Sequence, residues 1–130
     1  MLKKRNIIPA VLWGFIILYL TIIPKSHPDT PLLFQWMGKI KIDKIAHFVF
    51  WGLWYVIYHI TFVKHNETSL AKSDKNKIQI RFLIFAVIFG IGIEILQLKL
   101  NWGRSAELLD IVADSLGVLT AYALFKLFKQ

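Results

Sequence analysis

Four long apolar runs, separated by polar or proline-bearing stretches, set the pattern of this chain. They extend from about Asn6 to Ile23, Ile45 to Val63, Ile78 to Leu98 and Leu108 to Phe128. Each has roughly the 17–25 residues that a helix needs to cross the hydrocarbon core of a bilayer. Helices are the economical solution there, because each segment satisfies its own backbone polar groups. The pattern predicts an all-α, polytopic membrane protein, a four-helix transmembrane bundle that forms one domain over residues 1–130.

The intervening stretches read differently from one another. Pro24 to Lys41 contains three prolines and is predicted as a loop, with an interfacial turn over Leu32 to Met37 anchored by Trp36. Lys64 to Lys77 is polar and aperiodic, which predicts a flexible loop. Lys99 to Glu107 is short, so runs three and four are expected to be neighbours. Lys3, Lys4 and Arg5 ahead of the first run suit a signal peptide. That run ends in Leu-Thr-Ile-Ile-Pro-Lys with no small-x-small cleavage site, so a retained helix is expected.

Composition agrees with a bilayer environment: 56% of residues are hydrophobic and 15% aromatic, too apolar for an ordinary soluble domain of this size. The formal charge of +8 is spread over ends and loops, with no basic stripe interleaved with aromatics, which argues for topology and against nucleic-acid binding. With the N-terminus in the cytoplasm, ten Lys and Arg lie inside and six outside, so both termini are expected to be cytoplasmic. The absence of cysteine excludes disulfides, thiolate nucleophiles and thiolate metal sites.

Against this apolar background, ionisable residues gather at one end of three runs. Asp43 and His47 open the second, Glu94 lies near the close of the third, and Asp110 and Asp114 lie in the first turns of the fourth. A charge in hydrocarbon costs several kcal/mol, roughly 2.5–3.5 on insertion scales, so such residues face a protein interior and mark a site. At about 100° per residue, Asp110 and Asp114 share a stripe with Ala113, Gly117 and Ala121. Glu94 and Gln97 likewise share a side with Gly90 and Ala86. Small residues let membrane helices approach closely, so the polar faces are also packing faces. On the second run, Phe50, Trp51, Trp54 and Tyr58 continue the His47 side as an aromatic floor. Lys44 and Arg104 are the nearby cations, and Glu107 continues the acidic face into the loop.

Each residue also has a plainer reading. His47 can be a core histidine bonded to Asp43, and Asp43, Glu107 or Asp110 can serve helix N-termini. Gln97 can be interhelical glue, and Arg104 the partner of Glu94. Tyr58 and His59 read as interfacial residues. Glu94 and Asp114 resist a capping role, because they lie roughly 6–9 Å into their runs at ~1.5 Å per residue.

The set Asp43-Lys44-x-x-His47-Phe48, Glu94-x-x-Gln97, Arg104, Asp110-x-x-x-Asp114 and Gly117 resembles the VanZ-like family of small bacterial integral membrane proteins. The resemblance covers about Lys41 to Ala121. The family often carries Asn where this chain has Asp114, so the chain adds a charge there. The resemblance implies a multi-pass protein of the bacterial cytoplasmic membrane. The family's named member is associated with teicoplanin resistance, and the family's biochemical activity is not established.

The leading expectation is an outward-facing polar pocket of the cell envelope that binds an envelope lipid or surface group. Asp43, Lys44, His47, Glu94, Gln97, Arg104, Asp110 and Asp114 would line it, with Arg104 and Lys44 on phosphate or carboxylate. A second is a membrane-embedded hydrolase or transferase acting on an envelope lipid. There His47, Glu94, Asp110 or Asp114 would act as acid, base or metal ligand, with activated water rather than a serine nucleophile. Crowded carboxylates at low dielectric take up protons or hold a cation, which makes a divalent ion the candidate cofactor. A small proton-coupled exporter, assembled as a homo-oligomer, is a third expectation. It fits less well, because the acids sit toward one face rather than near the midplane.

Overall fold

The computed structural model describes residues 7–22, 42–101 and 106–128, and among them there is no strand. Among these residues four helices follow in order: α1, Ile8–Ile22; α2, Ile42–Tyr58; α3, Lys72–Leu100; and α4, Leu108–Leu127. A π-helical segment, His59–Lys64, extends α2. The α2 segment with this extension, α3 and α4 are each long and apolar enough to cross a membrane. α1 is apolar throughout but has 15 residues, about 22 Å of helix at ~1.5 Å per residue. The expected loop from Pro24 to Lys41, with Trp36, lies outside the described residues.

The sequence places the helix boundaries well, except at the start of α3. Its first turns, Lys72–Lys77, fall in the stretch expected to be a flexible loop. Hydropathy marks where a helix enters hydrocarbon, whereas the helix itself begins wherever backbone bonding can start. Lys, Asp and Asn at the protruding end are compatible with a helix exposed to water. The other end of α3 is sharper. Asn101 adopts the left-handed conformation (φ 47°) and its N–H returns to the Gln97 carbonyl at 3.1 Å, which closes the last turn.

α2 is the central helix, packing on α1, α3 and most extensively on α4. Its crossing with α4 is built on glycine. A Cβ at Gly117 would overlap the Phe48 carbonyl, and one at Gly52 would stand 3.4 Å from the Gly117 oxygen. Both backbones therefore approach at a point where a side chain has no room. Because α2 is enclosed, its aromatic face is broader than the stripe expected from sequence: Trp51, Trp54, Tyr55 and Tyr58 are all buried.

Two tryptophans tie α1 to α2 in opposite directions. Trp54 Nε1 donates to the Ala10 carbonyl at 2.7 Å, and Trp13 Nε1 donates to the Phe50 carbonyl at 3.0 Å. Tyr58 and His59, expected at the interface, are instead buried. Tyr58 stacks on Phe82 at 4.0 Å and His59 on Phe125 at 4.0 Å. The outer surface is correspondingly apolar, with Phe15, Ile88 and Leu98 each more than half exposed. Such a surface suits acyl chains rather than water.

Candidate functional site

The acidic cluster forms because α2 and α4 start, and α3 ends, at the same end of the bundle. Asp43 lies in the first turn of α2 and Asp110 in the first turn of α4, where orphan N–H groups favour an anion. One further turn brings His47 and Asp114 to the α2–α4 seam. Glu94 reaches the same end from α3. His47, Glu94, Asp110 and Asp114 are all buried, with 2–4% of their surfaces exposed, too little for solvent to satisfy them.

Their contacts are specific. His47 Nδ1 lies 2.8 Å from Asp114 Oδ1, while its Nε2 lies 3.9 Å from Asp110 Oδ2. An ionised Asp114 only accepts, so Nδ1 carries the proton that it receives. The expected pairing of His47 with Asp43 is thus replaced by one across helices, since the α4 stripe faces the ring directly. Gly90 makes room for it: a Cβ there would come within 3.0 Å of Asp114 Oδ2. Trp51 lies flat beneath the imidazole, with centroids 5.6 Å apart and planes at 15°.

Lys44 bridges the rim. Its ammonium contacts Asp110 Oδ1 and lies 2.5 Å from Glu107 Oε2 and 3.9 Å from Asp43 Oδ2. The side chain that the sequence offered to a ligand phosphate is therefore engaged by protein carboxylates. Glu107, left off the expected ligand set, joins the cluster twice, through its carboxylate to Lys44 and through its N–H to Glu94 Oε2 at 2.8 Å. It does not cap α4 with its side chain. Its position three residues before Asp110 was the available signal. Glu94 Oε1 is buried with no hydrogen-bond partner among the described residues.

Gln97 turns away from the acids. Its amide donates to the Thr21 carbonyl at 2.8 Å, joining α3 to α1 as interhelical glue. Arg104, expected over the acids and beside Glu94, lies outside the described residues.

Chemically, the arrangement offers three things. It holds a histidine oriented by a buried carboxylate, a lysine shared among acids, and a carboxylate oxygen with no partner among the described residues. Asp43, His47 and Asp110 also each bring one ligand atom within 4.8 Å of the others, a mixed carboxylate and imidazole set suited to a hard or borderline divalent cation.

A helical membrane bundle with a buried polar cluster at one end is the class that this fold and site define. The VanZ/LLP1 family model matches residues 4–129, nearly the whole chain, and the chain belongs to that family. No curated protein and no solved structure matches it.

Proposed function

We propose that the cluster is an outward-facing pocket in the bacterial cytoplasmic membrane that binds the headgroup of an envelope lipid or a surface group. Glu94 Oε1 carries this reading: a buried acceptor without a donor among the described residues is costly by about 1–3 kcal/mol if left unmet, and a ligand hydroxyl or amine would satisfy it. Five acids (Asp43, Glu94, Glu107, Asp110 and Asp114) face Lys44 and His47, so the pocket favours a donor-rich or cationic group over a bare phosphate. The excess of Lys and Arg at the other end supports the outward orientation. The test is native mass spectrometry of the purified protein with its co-purifying lipids, comparing wild type with Glu94→Gln and Asp110→Asn. An envelope lipid lost in both variants supports the reading. A stably made Glu94→Gln protein with the same lipids and full activity in an envelope-sensitivity assay overturns it.

A second reading, a membrane-embedded hydrolase or transferase acting on an envelope lipid, is favoured by the Asp114–His47 contact. A carboxylate on Nδ1 fixes the tautomer and leaves Nε2 to face Asp110, the orientation used by general bases and by metal-bound histidines. Asp43, His47 and Asp110 would hold a divalent ion, which would supply an activated water. Turnover of an envelope lipid that chelator abolishes supports this reading, and unchanged lipids on loss or gain of the gene count against it. The exporter is not proposed, because α1 carries no acidic, basic or histidine residue and the acids gather at one end.

A further inference from the structure

At the end of the bundle opposite the acids, α1 and α3 border an apolar groove of about 610 Å³, within the ~300–1,000 Å³ of ligand sites. Val11 and Gly14 of α1, Trp54 and Tyr58 of α2, and Phe85 of α3 line it. Gly14 belongs there because a Cβ would stand 2.8 Å from the Trp54 ring. Among the described residues, one charged residue joins this lining. Arg81 is exposed and has no ion pair among the described residues.

The order of residues along α3 sets the polarity of the groove. Arg81 lies in the first turn of the apolar run that starts at Ile78, just before its uninterrupted stretch from Phe82, so it stands near the level where the helix enters hydrocarbon. Phe85 and Phe89 follow one and two turns deeper, about 6 and 12 Å further along the axis. A cation at the interface above an apolar channel matches an amphiphile with an anionic head. Basic pockets between membrane helices take such headgroups.

We propose that this groove binds an anionic phospholipid of the adjacent leaflet, its phosphate on Arg81 and one acyl chain between α1 and α3 against Trp54. The site is separate from the acidic cluster, so the two stand or fall independently. Hydrocarbon already surrounds the bundle, and the apolar walls discriminate little among acyl chains. Selectivity therefore resides in the headgroup contact. One basic residue near an anionic surface favours the charged lipid about fivefold.

The test uses the full chain with phosphatidylglycerol and phosphatidylcholine. In native mass spectrometry from equimolar mixed micelles, phosphatidylglycerol adducts should exceed phosphatidylcholine adducts by about fivefold. Arg81→Gln should bring them to parity. Location is read separately in a protein whose single tryptophan is Trp54, with Trp13, Trp36, Trp51 and Trp102 changed to Phe. In phosphatidylcholine vesicles containing a minor fraction of brominated lipid, brominated phosphatidylglycerol should quench Trp54 more than brominated phosphatidylcholine does. Val11→Phe, which narrows the groove, should reduce both effects. Equal retention of the two lipids by wild type overturns the proposal, as does a preference that survives Arg81→Gln. Because the chain has no cysteine, Val11→Cys reports a second copy directly, and efficient disulfide linkage of two chains through it also overturns the proposal.

Discussion

His47 on α2 and Asp114 on α4 meet through a 2.8 Å Nδ1–Oδ1 contact, with both side chains almost fully removed from solvent. The pair joins the two most extensively packed helices immediately beside the Gly52–Gly117 crossing. Removing the Asp114 carboxylate leaves a buried Nδ1–H without its acceptor, which costs about 1–3 kcal/mol, and opens a void beside it that adds to the loss. Asp114→Ala should therefore destabilise the protein by that order. Asp114→Asn keeps an acceptor for Nδ1–H and should cost about 1 kcal/mol, the scale of one hydrogen bond. Thermal unfolding in detergent, followed by circular dichroism, measures the difference, and equal losses for the two variants would refute the role assigned to the contact.

Lys44 and Asp110 are predicted to be energetically coupled. Lys44→Met leaves Asp110 without its ammonium and should lower the unfolding midpoint strongly. Adding Asp110→Asn should recover part of the loss, giving a coupling of about 0.5–3 kcal/mol in a double-mutant cycle. Additive effects would mean that the two side chains do not act on one another.

Two glycines should respond in opposite directions. Gly117→Ala places a methyl group where the Phe48 carbonyl stands, and forced overpacking costs about 1–3 kcal/mol or more. Gly92 faces open space, with nothing within 4 Å of an added Cβ. Gly92→Ala should stabilise α3 by about 0.5–1 kcal/mol through backbone entropy. Parallel melts of the two variants check both signs.

The expected topology is open to direct labelling, since no native cysteine interferes. Ser69, exposed in the α2–α3 turn, lies at the end opposite the cluster, and Leu108, exposed at the start of α4, lies beside it. With an outward pocket, Leu108→Cys reacts with a membrane-impermeant maleimide on intact cells. Ser69→Cys reacts only after permeabilisation. The reverse pattern would place the acids on the cytoplasmic side.

The sequence by itself determined the membrane class, the helical architecture and the end of the bundle where the charges collect. Each follows from one-dimensional facts: run length against bilayer thickness, and the depth of Glu94, Asp110 and Asp114 within their runs. It also determined which faces pack, because small residues and acids recur at helical spacing on α3 and α4. The start of α3 escaped it, since hydropathy reports the solvent around a helix and not the helix itself.

Only the tertiary structure decided who partners whom. His47 bonds to Asp114 rather than Asp43, Lys44 is held among the acids rather than left for a ligand, and Gln97 reaches α1 rather than the cluster. Glu107 meets Lys44 through the carboxylate that its spacing had placed on the acidic face, but it meets Glu94 through its backbone N–H, which no side-chain pattern can reveal. Helical periodicity gives the direction in which a side chain leaves its own axis. Its partner depends on the rotation and spacing of the neighbouring axis, and here the contact at Gly117 brings α2 and α4 together closely enough to choose it.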